Sequence, residues 1–194
     1  MQPRRLIIAT TNAGKVREVQ AALTESPEWT AEPLPAGLVA VEESGVTFLE
    51  NAVLKATHYS RSIEGFTLAD DSGLCVRALD GRPGVFTARY GATTEEQNQR
   101  VLAELERAGG TDRYAEFACA FAIARSGSIL WSTEKRLEGE IAQSSAGRGG
   151  FGFDPIFYLP SLRKTLAEMT TLEKNQISAR GKALTELRRF LASF

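Results

Sequence analysis

The chain has 194 residues, 43% of them hydrophobic and 24% charged, and 23 Lys and Arg against 24 Asp and Glu leave a formal net charge of −1. That length fits one domain, or one domain folded as two lobes, around a substantial core. The charge balance excludes a non-specific nucleic-acid or membrane-surface binder, which needs a basic surplus, and no apolar run approaches membrane-spanning length.

Leu6 to Ala9 reads as a short buried strand, too brief for the apolar core of a signal peptide. Thr10-Thr11-Asn12-Ala13-Gly14-Lys15 follows, and then Val16, Val19 and Leu23 at helical spacing. Strand, polar glycine-containing loop and helix in this order present unpaired N–H groups at the positive end of a helix dipole, which suits an anion. Thr10, Thr11 and Asn12 add side-chain donors and Lys15 a point charge. The spacing is not that of a Walker A loop, and a plain Asn12 N-cap explains it equally well.

Pro27 to Pro35 predicts a loop with one short edge strand. Glu42 and Glu43 form an acidic cluster just before Thr47-Phe48-Leu49-Glu50, a capping box that opens a helix. Phe48, Ala52, Ala56, Tyr59 and Ile63 make the apolar stripe of that helix. Asn51 and Lys55, four apart, share another face, which is either solvated or aimed at the acidic residues or a ligand. His58, the single histidine, has no second ligand candidate nearby.

Leu68-Ala69-Asp70-Asp71-Ser72-Gly73-Leu74-Cys75 predicts a short buried strand that delivers two adjacent carboxylates into a tight turn. Like charges side by side resist desolvation unless a cation sits between them. A divalent metal with hard oxygen ligands resolves the conflict, and Mg²⁺ in turn suits phosphates. A solvated Asx turn closing a hairpin is the alternative.

Gly81 to Phe86 is a turn-rich loop, and Thr94 to Ala108 reads as a helix with a capping box at Thr94 and Gln97 and an ordinary wet face. Phe117, Cys119, Phe121 and Ile123 alternate with alanines, the pattern of a central strand buried on both faces. Ser126-Gly127 turns it back into Ile129 to Trp131, and Lys135 to Ile141 is a further strand. Cys75 and Cys119 lack the neighbours of a zinc site, which predicts free thiols in a reducing, cytoplasmic setting.

Ser144 to Pro155 is a glycine-rich loop in which a backbone can approach a ligand closely. Phe151 or Phe153 offers a flat face to a planar base, with Gly152 between them and Asp154 as an acceptor; a structural glycine turn with core phenylalanines is the rival reading. Thr170 to Glu173 is a third capping box. The helical stretch behind it carries Lys174, Ser178, Arg180 and Lys182, then the stripe Ala183, Leu184, Leu187, Phe190 and Leu191.

The order of these blocks resembles the inosine triphosphate pyrophosphatase family, which removes deaminated purine nucleoside triphosphates. The likeness rests on Thr10 to Lys15, Glu42-Glu43 with Thr47 to Ala52 and Lys55, Ala69 to Gly73, Gly84 to Tyr90, Gly149 to Pro155, and Lys174 with Ser178 and Arg180, which together span nearly the whole chain. The resemblance implies an elongated, two-lobed α/β fold with a central mixed sheet flanked by helices, a cleft between the lobes, a single domain over 1–194 and a homodimer. It implies hydrolysis of ITP, dITP or XTP to the monophosphate and pyrophosphate with Mg²⁺. Carried over by position, Thr10, Thr11, Asn12, Ala13, Gly14, Lys15 and Lys55 hold phosphates. Asp71 is general base and metal ligand, Glu42 a second metal ligand, and Ser72 touches substrate. Phe151, Gly152, Phe153, Asp154, Lys174, Ala179 and Arg180 form the nucleoside pocket. Ala179 is a departure, since the family pattern has histidine between Ser178 and Arg180. A nucleotide-binding regulator without turnover, and an NTP pyrophosphatase of the septum-inhibitor type with another base preference, are the alternatives. The paired carboxylates favour an enzyme, because a mere triphosphate binder does better with cations alone.

Overall fold

A computed structural model describes residues 3–194. Seven strands form one mixed sheet in the order β2-β1-β3-β4-β5-β6-β7. In chain order they are β1 (Arg4–Ile8), β2 (Trp29–Pro33), β3 (Phe66–Val76), β4 (Tyr114–Arg125), β5 (Ser128–Ile141), β6 (Phe157–Leu159) and β7 (Lys164–Thr165). The helices are α1 (Ala13–Ala22), α2 (Phe48–Ser60), α3 (Thr94–Arg107), α4 (Thr171–Ile177) and α5 (Ala179–Leu191). β1 pairs parallel with β2 and β3, as strands joined through helical crossovers do, while β5, β6 and β7 pair antiparallel. β4 is the middle strand, and Ala118 through Ala124 on it are all buried, so its unbroken apolar run reflects cover on both faces.

The chain packs into two compact units. The first comprises residues up to Asp71 with Cys119–Glu134 and Ala183–Phe194; the second comprises Ser72–Ala118 and Lys135–Lys182. In the first unit Trp29 meets Phe66 edge-on at 5.0 Å between centroids, and Trp131 stacks on Phe190 at 5.2 Å. The Trp29 indole N–H also donates to Leu191 O at 3.2 Å, which ties the apolar stripe of α5 to β2. In the second unit Phe117 packs on Phe157 at 4.6 Å, and Glu104 of α3 accepts from Arg82, Arg100 and Tyr90. That last network clamps the Gly84–Arg89 turn to α3 and leaves Arg89 exposed.

Four local expectations need correction. β3 runs unbroken through Asp70, Asp71, Ser72 and Gly73, so the carboxylates sit within a strand and no tight turn follows them. Thr93, not Thr94, caps α3: its hydroxyl accepts from Glu96 N at 3.2 Å, and Glu96 reaches back to Ala92 N. The two strand pieces after Ser126-Gly127 are one strand, β5. The C-terminal helix is broken at Ser178, whose extended backbone (ψ 153°) separates α4 from α5. The bend crowds Gly181 so closely that a Cβ there would lie 1.7 Å from Asn175 O.

Candidate active site

In the first unit the side chains that matter come from three elements. β1 leads through Thr10 into the N-terminus of α1, where the Asn12 side chain accepts from Gly14 N at 2.9 Å and Lys15 N at 3.3 Å. The N-cap is therefore present, and Asn12 occupies two of the N–H groups expected to face an anion. Thr11, Asn12 and Ala13 are exposed around it. Lys15 does not extend into solvent. Its ammonium lies 2.6 Å from Asp70 Oδ2, and both side chains are mostly covered.

Asp71 is held from α2. Lys55 Nζ donates to Asp71 Oδ1 at 3.1 Å and pairs with Glu43 Oε1 at 2.8 Å, while Asn51 Nδ2 donates to Asp71 Oδ2 at 3.3 Å. The Asn51 carbonyl oxygen accepts from Gly45 N at 2.8 Å, which fixes the orientation of its amide. The helical face of Asn51 and Lys55 is thus directed at the carboxylates and not at solvent. Asp71 is buried and its pKa is raised, first by burial and further by the Glu43 charge, against the pull of Lys55 and Asn51. Burial opposes the Lys55 charge, but Asp71, Glu43 and Asp70 outweigh it and raise the lysine pKa. The outcome is a firm ammonium beside a carboxylate that is more basic than usual.

Of the two adjacent glutamates, Glu43 and not the expected Glu42 meets Lys55. Val41 N is held by the Tyr59 hydroxyl at 3.4 Å, Ser44 N turns back to Glu42 O, and Gly45 N is held by Asn51. Between those anchors the chain turns Glu43 onto Lys55 and leaves Glu42 exposed. The sequence shows two adjacent glutamates with nothing to rank them, and the anchoring of the loop decides which one pairs with Lys55.

The donor set suits a hard divalent cation. Asp70, Asp71 and Glu43 share two ammonium groups, an excess of carboxylate that a cation relieves. Among the described residues no group of three or more His, Cys, Asp and Glu could by itself hold a metal. Mg²⁺ commonly takes one or two carboxylates and completes its shell with water and phosphate oxygens, so the residues fit an ion that is shared with a phosphorylated ligand. A cavity of about 650 Å³ in the same unit borders Thr10 and Thr11, but its walls are Val16, Gln20, Leu38 and their neighbours, away from these carboxylates.

The second unit builds the glycine-rich loop. Asp154, itself buried, accepts from Phe151 N at 2.7 Å and from Lys174 Nζ at 2.5 Å. Lys174 also lies 4.3 Å from the centroid of the Phe151 ring. Gly150 has φ +71°, and a Cβ there would sit 2.0 Å from Asp154 Oδ2, so this position requires glycine. The two phenylalanines part company: Phe153 is 1% exposed and belongs to the core, whereas Phe151 is 53% exposed. Ser178 caps the start of α5, Ala179 is buried, and Arg180 Nη2 donates to Ser72 Oγ at 3.0 Å. The boundary of the units falls within β3, so one strand gives Asp70 and Asp71 to the first unit and Ser72 to the second.

A mixed α/β sheet that buries lysines against excess carboxylate defines an α/β protein suited to a divalent cation and phosphate. Residues 6–190 match the profile of the Ham1 family, and the chain belongs to that family. It is 46% identical over 187 residues to a dITP/XTP pyrophosphatase of Thermosynechococcus vestitus, covering 95% of this chain and 93% of the relative. It is 47% identical over 184 residues to a dITP/XTP pyrophosphatase of Synechocystis, covering 94% and 92%. Among solved structures, a HAM1 protein from Coxiella burnetii superposes with a TM-score of 0.89 at 40% identity, covering 98% of this chain and all of the other.

Proposed function

We propose that this chain is a nucleoside-triphosphate pyrophosphatase that hydrolyses deaminated purine nucleotides, ITP, dITP and XTP, to the monophosphate and pyrophosphate. The observation that carries the reading is the Asp71 carboxylate, buried and made more basic than usual, between Lys55 and Asn51. A general base needs both position and a pKa drawn toward neutrality. The names of the relatives support the substrate class.

Cleavage of the anhydride between the α- and β-phosphates needs charge neutralisation, a positioned water and a base, with little covalent work from the protein. Asp71 takes the proton of the attacking water. Lys15 and Lys55 bring positive charge to the phosphates, with the Thr10 and Thr11 hydroxyls as further donors. Asp71 and Glu42, with Glu43 beside them on Lys55, would hold Mg²⁺, which when bound offsets phosphate charge and polarises the phosphoryl oxygens. Phe151 stacks on the purine, and Asp154, Lys174 and Arg180 surround the nucleoside. Two free cysteines suit a reducing cytoplasm, where the chain acts as a homodimer.

The test is pyrophosphate release from dITP, ITP and ATP with Mg²⁺ and with chelator. We expect Mg²⁺-dependent release from dITP and ITP and a much slower rate with ATP. Tight ITP binding with no release would instead favour the regulator.

A further inference from the structure

The buried stripe of α3 is Asn98, Val101 and Leu105, spaced three and seven apart as core positions on a helix are. Val101 and Leu105 need no explanation. Asn98 does, because at 1% exposure an apolar side chain would be the cheaper occupant. Its Oδ1 has no hydrogen-bond partner among the described residues, a cost that the fold of α3 does not require. Its Nδ2 donates to Gly152 O at 3.3 Å, and the opposite amide orientation would set oxygen against oxygen.

Gly152 lies between the exposed Phe151 and the core residue Phe153, with φ +61°. Other ties fix the flanks of this loop: Gly149 N donates to Ala167 O at 2.9 Å, and Asp154 Oδ2 accepts from Phe151 N at 2.7 Å. The carbonyl between the two phenylalanines is held from α3, which contributes no other residue to the proposed pocket. A carbonyl released there frees the Gly152–Phe153 peptide plane, and through the backbone dihedrals of Gly152 it loosens the placement of Phe151 relative to the anchored Phe153.

We propose that Asn98 is a positioning residue for nucleoside recognition: by holding the Gly152 carbonyl it fixes the Phe151 face against which the purine stacks. The inference rests on the assignment of this loop to the base. A packing residue would affect the whole protein, whereas a positioning residue of this loop affects the base end of the ligand alone.

The two products of the proposed reaction separate those cases. Inhibition constants for IMP and for pyrophosphate are measured on wild type, on Asn98→Leu, which keeps the bulk and removes the donor, and on Asn98→Ser, which retains folding if leucine overpacks. We expect the IMP constant to rise about tenfold, the worth of one hydrogen bond, with the pyrophosphate constant within about twofold of wild type. kcat for ITP should change little while KM rises. An unchanged IMP constant in either folded variant, or a parallel rise for IMP and pyrophosphate, overturns the positioning role. Failure of wild type to release pyrophosphate from ITP would instead defeat the functional assignment, so the two failures are told apart.

Discussion

The two units handle polarity in opposite ways. The first packs charged side chains on rigid elements: Lys15 on α1, Asn51 and Lys55 on α2, and Asp70 and Asp71 within a strand. Its design is electrostatic, and the carboxylates outnumber the ammonium groups that face them. The second relies on backbone shape, with Gly150 and Gly152 at positive φ and one buried carboxylate, Asp154, that organises Phe151 and Lys174. An excess of carboxylate can be relieved by a divalent cation, which in turn suits a phosphorylated ligand and so can drive chemistry. A shaped loop with one exposed aromatic ring can select a ligand but has nothing to do to it. Rate should therefore reside in the first unit and discrimination in the second.

The largest effect that sharpens this contrast is Asp71→Asn. Loss of a positioned general base costs about 10²–10⁴-fold, and we expect kcat for ITP to fall by that factor while the IMP inhibition constant stays near wild type. Near-wild-type turnover would move the base elsewhere.

A smaller effect breaks the comparison into its halves. Lys15→Met and Lys174→Met each remove an ammonium but keep most of the stem, which limits the packing loss. A hydrogen bond to a charged group is worth about 1.5–3 kcal/mol, or roughly 10–150-fold in affinity. Lys15→Met should weaken pyrophosphate far more than IMP, and Lys174→Met the reverse. If both variants weakened both ligands equally, the division of labour between the units would be wrong.

Much of this was legible in the sequence because short-range rules governed it. The capping boxes at Thr47 and Thr170, the doubly buried β4 and the loop before α1 all follow from spacing and side-chain chemistry. What escaped were decisions made by distant partners. Glu42 and Glu43 are equivalent until Tyr59 and Asn51 pin the loop between them. Phe151 and Phe153 look alike until one enters the core. The Asp-Asp pair reads as a turn because isolated strands avoid adjacent carboxylates, and only Lys15, Lys55 and Asn51 let β3 continue through it. Asn98 did leave a signal, a polar residue three before Val101 and seven before Leu105 in an apolar stripe.

The smallest expected effect concerns stability, and its sign runs against intuition. Asp71 has a native pKa above its ordinary 3.8 because burial and the Glu43 charge outweigh the help from Lys55 and Asn51. The native protein therefore holds this proton more tightly than the unfolded chain does. Stability must then decline as pH rises from the unfolded value through the raised native one, and remain lower above it. Asp71→Asn removes that titration. In chelator and without nucleotide, the variant should melt level with wild type at the acid end of the range and above it near neutrality. Each pKa unit is worth about 1.36 kcal/mol, and each kcal/mol moves Tm by about 2–4 °C at this chain length. Mg²⁺ with pyrophosphate should close or reverse the gap, because only wild type offers the full carboxylate set, and stabilisation by binding grows with ligand concentration over its Kd. A gap that is flat with pH would mean that Asp71 is not strained by burial. A gap that ligand leaves untouched would mean that the carboxylate excess is structural and does not serve phosphate binding.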